Sequence, residues 1–402
     1  MKRLFIFLLL LLLHCHVIMA TNPIVHSDSS TYKLSDSAFV CLITCGPGDE
    51  FYESFGHTAL RVCDSVKGID VVFNYGTFSF NEPFFYLKFA QGRLPYFLDV
   101  RETDNFLSEY NYYGRMVFQQ RINLSPEETN DLFEALCINA KPENKYYMYD
   151  IFRNNCATRV DDMIASALSC RKMEDFSPAN TTTYRSLLHK YTEKTLLWWR
   201  FGTDLLLGAR CDRPLTAKQC MFVPMEMMAI YDSTEFSDYE KISEPAIQLL
   251  RDTRKPQKNS ISPTLCFWLI CIFIAALSLY ARKRQWKLYW LDGIIFGLAA
   301  VISATLLFMW FGSDHWCTKW NLNLIWANPL FFWPLFRLRK PTRSDSMILI
   351  ALLLIFIVCW PLWPQHFNSA TLPIVLILLT RLSVRLFTAS ENSAWKHKQR
   401  KK

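Results

Sequence analysis

At 402 residues the chain has room for two sizeable folding units. Its composition, 51% apolar with 13 Trp and 31 Phe, is too apolar for an ordinary soluble protein and points to membrane segments. The net charge of +8 is gathered in a few short runs, which argues against an extended nucleic-acid-binding face.

Met1-Lys2-Arg3, the uncharged run Leu4 to Leu13 and Ala20 read as a secretory signal over residues 1–20, although Ile18 suits a cleavage site poorly. Residues 21–262 read as one periplasmic domain. It carries Cys41, Cys45, Cys63, Cys137, Cys156, Cys170, Cys211 and Cys220, in a compartment that permits disulfides. Cys211 and Cys220 are near enough in sequence to pair. No CxxC pair and no His/Cys group with zinc-finger spacing occurs, so neither a metal nor a cofactor is expected.

The domain opens with β signals. Ala38 to Thr44 is a short apolar run ended by Gly46-Pro47-Gly48. A second strand holds His57 in Phe55-Gly56-His57-Thr58-Ala59-Leu60. A turn at Ser65 to Gly68 leads to a returning strand, Val71 to Phe78. That hairpin sets Asn74, Tyr75 or Thr77 across from His57, according to register. Asn74 is the first choice for orienting the imidazole; Asn74-Tyr75-Gly76 reads equally as a strand-end bulge. Phe84 to Phe97 is rich in aromatic residues, with a break at Gly92 to Tyr96. Ser125-Pro126-Glu127-Glu128 starts a helix that runs to about Asn139.

The chain is organised around Asn154-Asn155-Cys156-Ala157-Thr158. Apolar residues at Val160, Met163, Ile164, Ala167 and Leu168 trace one face of a helix, and Cys156 lies on that face in the first turn. The helix dipole there is expected to lower the thiol pKa and favour thiolate. Alone, Cys156 reads as a core cysteine or half of a disulfide, and His57 as a structural histidine. Taken together they form a nucleophile and its base.

Trp198 to Asp204 and Leu207 to Asp212 hold more aromatic and turn residues than a plain helix needs; they cover a cleft, meet the membrane or simply pack. Ser233 to Pro263 is a linker by composition. Residues 263–390 then form a membrane domain with five apolar stretches, at 264–280, 290–311, 322–336, 346–363 and 371–388. The third is short and carries Asn and Pro, so it is broken or tilted. Arg381 and Arg385, near the end of the fifth, can snorkel to the interface. Basic residues fall between the first and second stretches, between the third and fourth, and in the tail 391–402. The positive-inside rule makes those segments cytoplasmic and the domain before them periplasmic. The outer loops, 312–323 and 364–369, face that domain. Asp314, His315, Asn321 and Asn323 are candidates there for docking a head group or a peptide end. Asn155 and Tyr75, beside the catalytic pair in sequence, are further candidate substrate contacts.

A histidine strand ahead of a cysteine helix reverses the order in papain. It resembles the permuted papain-like fold of the NlpC and lecithin:retinol acyltransferase superfamily. More closely, Gly46-Pro47, Phe55 to Leu60, Asn74-Tyr75-Gly76, Asn155 to Thr158 and the Asp314 to Asn323 segment resemble the Lnb family. These are bacterial lipoprotein N-acyltransferases with a periplasmic domain ahead of a membrane domain. The resemblance implies an α+β permuted papain-like domain followed by an α-helical five-span membrane domain, multi-pass in the inner membrane. It implies a Cys156 nucleophile and a His57 base, working without a cofactor. The reaction implied moves an acyl chain from a phospholipid or other acyl ester, through a Cys156 thioester, to the α-amine of a lipoprotein diacylglyceryl-cysteine. It fixes neither the third triad member nor the role of the outer loops. Two other classes stand beside it. A membrane-anchored Cys/His peptidase or amidase acting on cell-wall peptides needs only one anchor. A non-catalytic lipid-binding or assembly protein would tolerate loss of the thiol.

Overall fold

The computed structural model describes residues 33–168, 181–192, 196–236, 240–255 and 261–400. The expected signal segment and Cys170 lie outside them.

Seven antiparallel strands form the frame of the first domain: β1 (Phe39–Cys45), β2 (His57–Asp64), β3 (Ile69–Thr77), β4 (Pro95–Glu102), β5 (Val117–Arg121), β6 (Tyr146–Met148) and β7 (Ile247–Leu250). Their order is β6-β4-β3-β2-β1-β5-β7. Central β1 is buried on both faces, which explains its unbroken apolar sequence. Val40 and Leu42 face one core; Cys41, Ile43 and Cys45 face the other. Short helix α1 (Phe85–Gln91) buries none of its residues, and α2 (Thr103–Tyr112) covers the Cys41 face through Phe106. Against the Val40 face pack α3 (Pro126–Asn139) and α4 (Cys156–Ala167). The start of α3 is a capping box: Glu128 N–H donates to Ser125 Oγ at 3.2 Å, and Ser125 N–H to Glu128 Oε2 at 2.8 Å.

The segment read as a linker is in part folded. Phe236 and Ile242 are buried in the main core, and β7 adds an edge strand to β5. Polar neighbours hide these few apolar residues from a compositional reading. Cys211 and Cys220 do not pair; Cys211 Sγ instead meets the carbonyl of Cys317, at 3.4 Å.

The membrane domain contains α8 (Pro263–Lys283), α9 (Tyr289–Phe311), α10 (Arg343–Val358) and α11 (Thr371–Arg400). Among the described residues, three helices are long and apolar enough to cross a bilayer: α8, α9 and the Thr371–Ala389 part of α11. The third expected stretch is broken into short turns, Leu322–Ile325 and Pro329–Phe331, and one helical turn, Phe332–Phe336. Pro329 and Pro334 have no N–H to continue a helix. The fourth, α10, has 16 residues. Arg381 and Arg385 do not extend outward as free side chains. Both are buried, and Arg381 Nε donates to Asp292 Oδ1 of α9 at 2.7 Å, a buried carboxylate that holds it inside.

The two domains are joined through α5 (Tyr184–Thr192) and α6 (Leu197–Leu206), which α7 (Pro224–Ser233) follows. Asp204, at the end of α6, accepts from Arg185 at 2.9 Å and from Asn368 of an outer loop at 2.8 Å. Helix ends leave carbonyls without intrahelical partners. Asn321 Nδ2 donates to the carbonyls of Leu205 and Leu206, and Asn323 Nδ2 to those of Asp204 and Leu205. Membrane-domain asparagines thus complete the end of α6.

Candidate active site

Cys156 is the first residue of α4, and three features hold it. Asn155 caps the helix: Thr158 N–H donates to Asn155 Oδ1 at 2.9 Å, and Asn155 N–H to Thr158 Oγ1 at 2.8 Å. Asn155 Nδ2 donates to the carbonyls of Ile151 and Phe222, at 2.9 and 2.7 Å. The helix then buries Ala157, Val160, Asp161, Ile164 and Ala167 against the sheet.

His57 begins β2. Leu60 pairs with Phe73, and continuing that register sets His57 across from Gly76. Asn74 lies two residues away on the same face, within diagonal reach. Its Oδ1 stands 2.5 Å from His57 Nε2. An amide oxygen only accepts, so Nε2 carries the proton and Nδ1 keeps a lone pair. The pairing of β3 with β4 also shifts between Asn74 and Thr77, so a bulge sits at the same point.

Gly76 lets the helix start reach the histidine. Its φ is +89°, and a Cβ there would lie 3.3 Å from Cys156 Cβ and 3.7 Å from His57 Cε1. Gly76→Ala is therefore expected to lower turnover about 100-fold by pushing apart two groups that need near-contact alignment. The left-handed backbone adds a stability cost of about 1–2 kcal/mol. Turnover and thermal unfolding of the variant check this; wild-type turnover would show that nothing at Gly76 controls the pair.

Burial governs the charges here. Cys156 is 6% exposed, and burial pushes its thiol up to about 11, opposed by the backbone N–H groups of Thr58, Ala157 and Cys156 itself. The thiolate expected from the helix dipole is overridden, because loss of water outweighs a partial charge. Burial also lowers His57 to about 4, partly offset by its bond to Asn74. Both groups are therefore neutral near pH 7. The sign for stability follows. An unfolded histidine takes its proton near pH 6.5, whereas the native one resists until about 4. Native stability is thus lost as pH falls from 6.5 toward 4, by up to about 3 kcal/mol from this residue. Thermal unfolding of wild type and His57→Gln across that window should show a shallower acid loss in the variant. Equal slopes would mean that His57 titrates normally.

Aromatic rings surround the cysteine. Tyr96 and Tyr149 stack at 4.2 Å, and the electrostatic influence of Cys156 reaches both, as well as Tyr147. Arg115, not singled out in the sequence, is buried and donates to the Gly46 carbonyl at 2.8 Å and to Glu53 at 2.9 Å, fixing the Gly46-Pro47-Gly48 loop. A lone arginine far along the chain gives no sequence signal for that contact.

Of the other candidates, Tyr75 shares a core cluster with Cys156 but does not face His57, and the outer-loop residues serve other contacts. Strand alternation turns Tyr75 to the opposite face, into the core, where its hydroxyl donates to Asn139 Oδ1 at 3.1 Å. Asn321 and Asn323 are 1% exposed, with their amides committed to α6. Asp314 pairs with Arg93 at 2.7 Å, and its N–H donates to the carbonyl of Gln91. His315 Nε2 donates to the carbonyl of Phe89 at 3.0 Å. The first outer loop is thereby tied to α1. Trp316 Nε1 donates to Asp150 at 3.3 Å and lies 3.7 Å beneath the Arg153 guanidinium, just ahead of Cys156.

Two family descriptions match the sequence: an Lnb N-terminal periplasmic domain over residues 27–190, and an Lnb transmembrane domain over residues 255–392. The chain belongs to the Lnb family. It is a membrane protein whose N-terminal domain is periplasmic. The first match contains His57, Asn74 and Cys156; the second contains α8 to α10 and α11 as far as residue 392. No curated protein and no solved structure matches the chain.

Proposed function

We propose that this Lnb protein is a lipoprotein N-acyltransferase of the inner membrane, with Cys156 as nucleophile, His57 as base and Asn74 as the residue that orients His57. In this reading the first domain is a permuted papain-like fold and the membrane domain is multi-pass with five crossings, two of them short or broken. The observation that carries the proposal is a run of aromatic rings from the outside of α1 to the cysteine. Phe84, Tyr86 and Phe89 of the α1 region are exposed, on a segment bonded to the membrane domain's outer loop. Phe85 lies 5.9 Å from Phe78, Phe78 lies 5.1 Å from Tyr96, and Tyr96 stacks on Tyr149 beside Cys156. Such a track suits an acyl chain entering from lipid better than a cell-wall peptide.

The chemistry follows from neutral partners. His57 Nδ1 accepts the thiol proton as Sγ attacks the ester carbonyl of a phospholipid. N–H groups at the start of α4 are available to the oxyanion. The C–O bond breaks, His57 returns the proton to the alkoxide, and a thioester remains on Cys156. The α-amine of a lipoprotein diacylglyceryl-cysteine attacks that thioester, passes a proton to His57, and the C–S bond breaks to restore the thiol. The apolar rings limit water, which would otherwise hydrolyse the intermediate. Asn155, Asn321 and Asn323 act in this account by positioning the site, and Asp314 and His315 by holding α1 at the outer loop. Mass spectrometry of lipoprotein N-termini from cells with and without the protein tests the reaction. A third acyl chain on the α-amine should be lost with the gene; its persistence in the absence of any other N-acyltransferase would refute the proposal.

A further inference from the structure

At the end of the membrane domain away from the sheet, α8, α9, α11, Leu338 and Pro341 line a cavity of about 280 Å³. Four basic side chains line it, Arg282, Lys287, Arg381 and Arg385, against a single carboxylate, Asp292. Arg381 is matched: it donates to Asp292 and, through Nη1, to Ser278 Oγ at 2.8 Å. Arg385 is not. It is 3% exposed, its Nη atoms reach only the carbonyls of Leu338 and Arg337 at 3.3 and 3.2 Å, and Nε has no partner among the described residues.

The Arg385 guanidinium lies 5.5 Å from the Phe296 ring, and Asp292 and Asp345 act on it only through space, with no carboxylate bonded to it among the described residues. A buried guanidinium with no directly bonded anion is costly, and within membrane segments such a group marks a site. The missing component is negative, and the planar fork of arginine suits an oxyanion with several oxygens. The position narrows the ligand class. The cavity lies where the apolar helices α8 and α9 meet the basic segment that joins them, which in the multi-pass reading proposed above is the level of lipid head groups. Its volume suits a head group rather than a whole lipid, while exposed Leu279, Tyr280 and Trp290 on the same helices offer an apolar surface for acyl chains.

We propose that this cavity binds the phosphate of an anionic phospholipid, with Arg385 as the buried phosphate ligand and Arg282 and Lys287 at the rim. The bound lipid would sit at the membrane face opposite the catalytic domain, so it is not the acyl donor. The site does not depend on the acyltransferase reading.

The test is native mass spectrometry and thermal unfolding of the full-length protein in neutral detergent, with phosphatidylglycerol, phosphatidylcholine or inorganic phosphate added. Phosphatidylglycerol should bind at least about tenfold more tightly than phosphatidylcholine and raise the unfolding temperature, and Arg385→Gln should weaken it by at least about tenfold. Lys287→Gln should weaken it less, and it serves as the variant if Arg385→Gln does not fold. Arg339→Gln, on a neighbouring loop outside the cavity, should bind as wild type. Equal binding of the two lipids, or undiminished binding by both cavity variants, would overturn the site. Stabilisation by inorganic phosphate equal to that by phosphatidylglycerol would overturn the assignment to a lipid.

Discussion

Cys156→Ser is expected to lower acyl transfer by about 1,000-fold or more while leaving the fold intact. Serine is close to cysteine in size, and the helix start does not depend on the side chain, because Asn155 and Thr158 supply the cap. What changes is chemistry. A buried alcohol is harder to deprotonate than a buried thiol, and the neutral imidazole of His57, lowered to about 4, is a weak base for that task. An oxyester on serine would also react more slowly with an amine than a thioester. The comparison requires N-acylation rates and unfolding temperatures for both proteins, with Cys63→Ser as a control because Cys63 lies at the far end of β2. A wild-type rate in Cys156→Ser would make Cys156 a core residue.

His57→Ala should have an effect nearly as large, about 100- to 10,000-fold, since every proton in the proposed cycle passes through this ring. The thiol stays near 11 without a partner to accept its proton, so both formation of the thioester and its attack by an amine slow down. The truncated side chain also leaves a space bounded by Asn74 and Gly76. Added imidazole should enter it and restore part of the rate in His57→Ala but not in Cys156→Ser. Full activity in His57→Ala without imidazole would assign the base elsewhere.

The order of the elements was legible because local signals agree with the fold. The run ending at Cys45, the Ser125 cap and the helix face behind Cys156 are set by period and capping, which act over a few residues. The choice among Asn74, Tyr75 and Thr77 was not legible, since a one-residue slip exchanges the faces of a strand. Only the pairing of Leu60 with Phe73 decides it. The thiol's ionisation is not legible locally: a helix dipole is visible in sequence, whereas the tyrosines that exclude water come from β4 and the segment before α4. Arg381 resembles a snorkelling side chain in sequence because its partner, Asp292, lies 89 residues away. Asn321 and Asn323 stood out as polar residues at the membrane, yet their use depends on where α6 ends, which no local pattern states.

The most direct measurement is the mass of the intact protein after incubation with a phospholipid donor and no acceptor. Wild type should gain one acyl chain, removable by neutral hydroxylamine and located on the peptide that contains Cys156. Adding a lipoprotein with a free α-amine should discharge it. A donor-competent enzyme that transfers acyl chains without ever carrying one on Cys156, or that carries it as an adduct stable to hydroxylamine, would contradict the thioester mechanism.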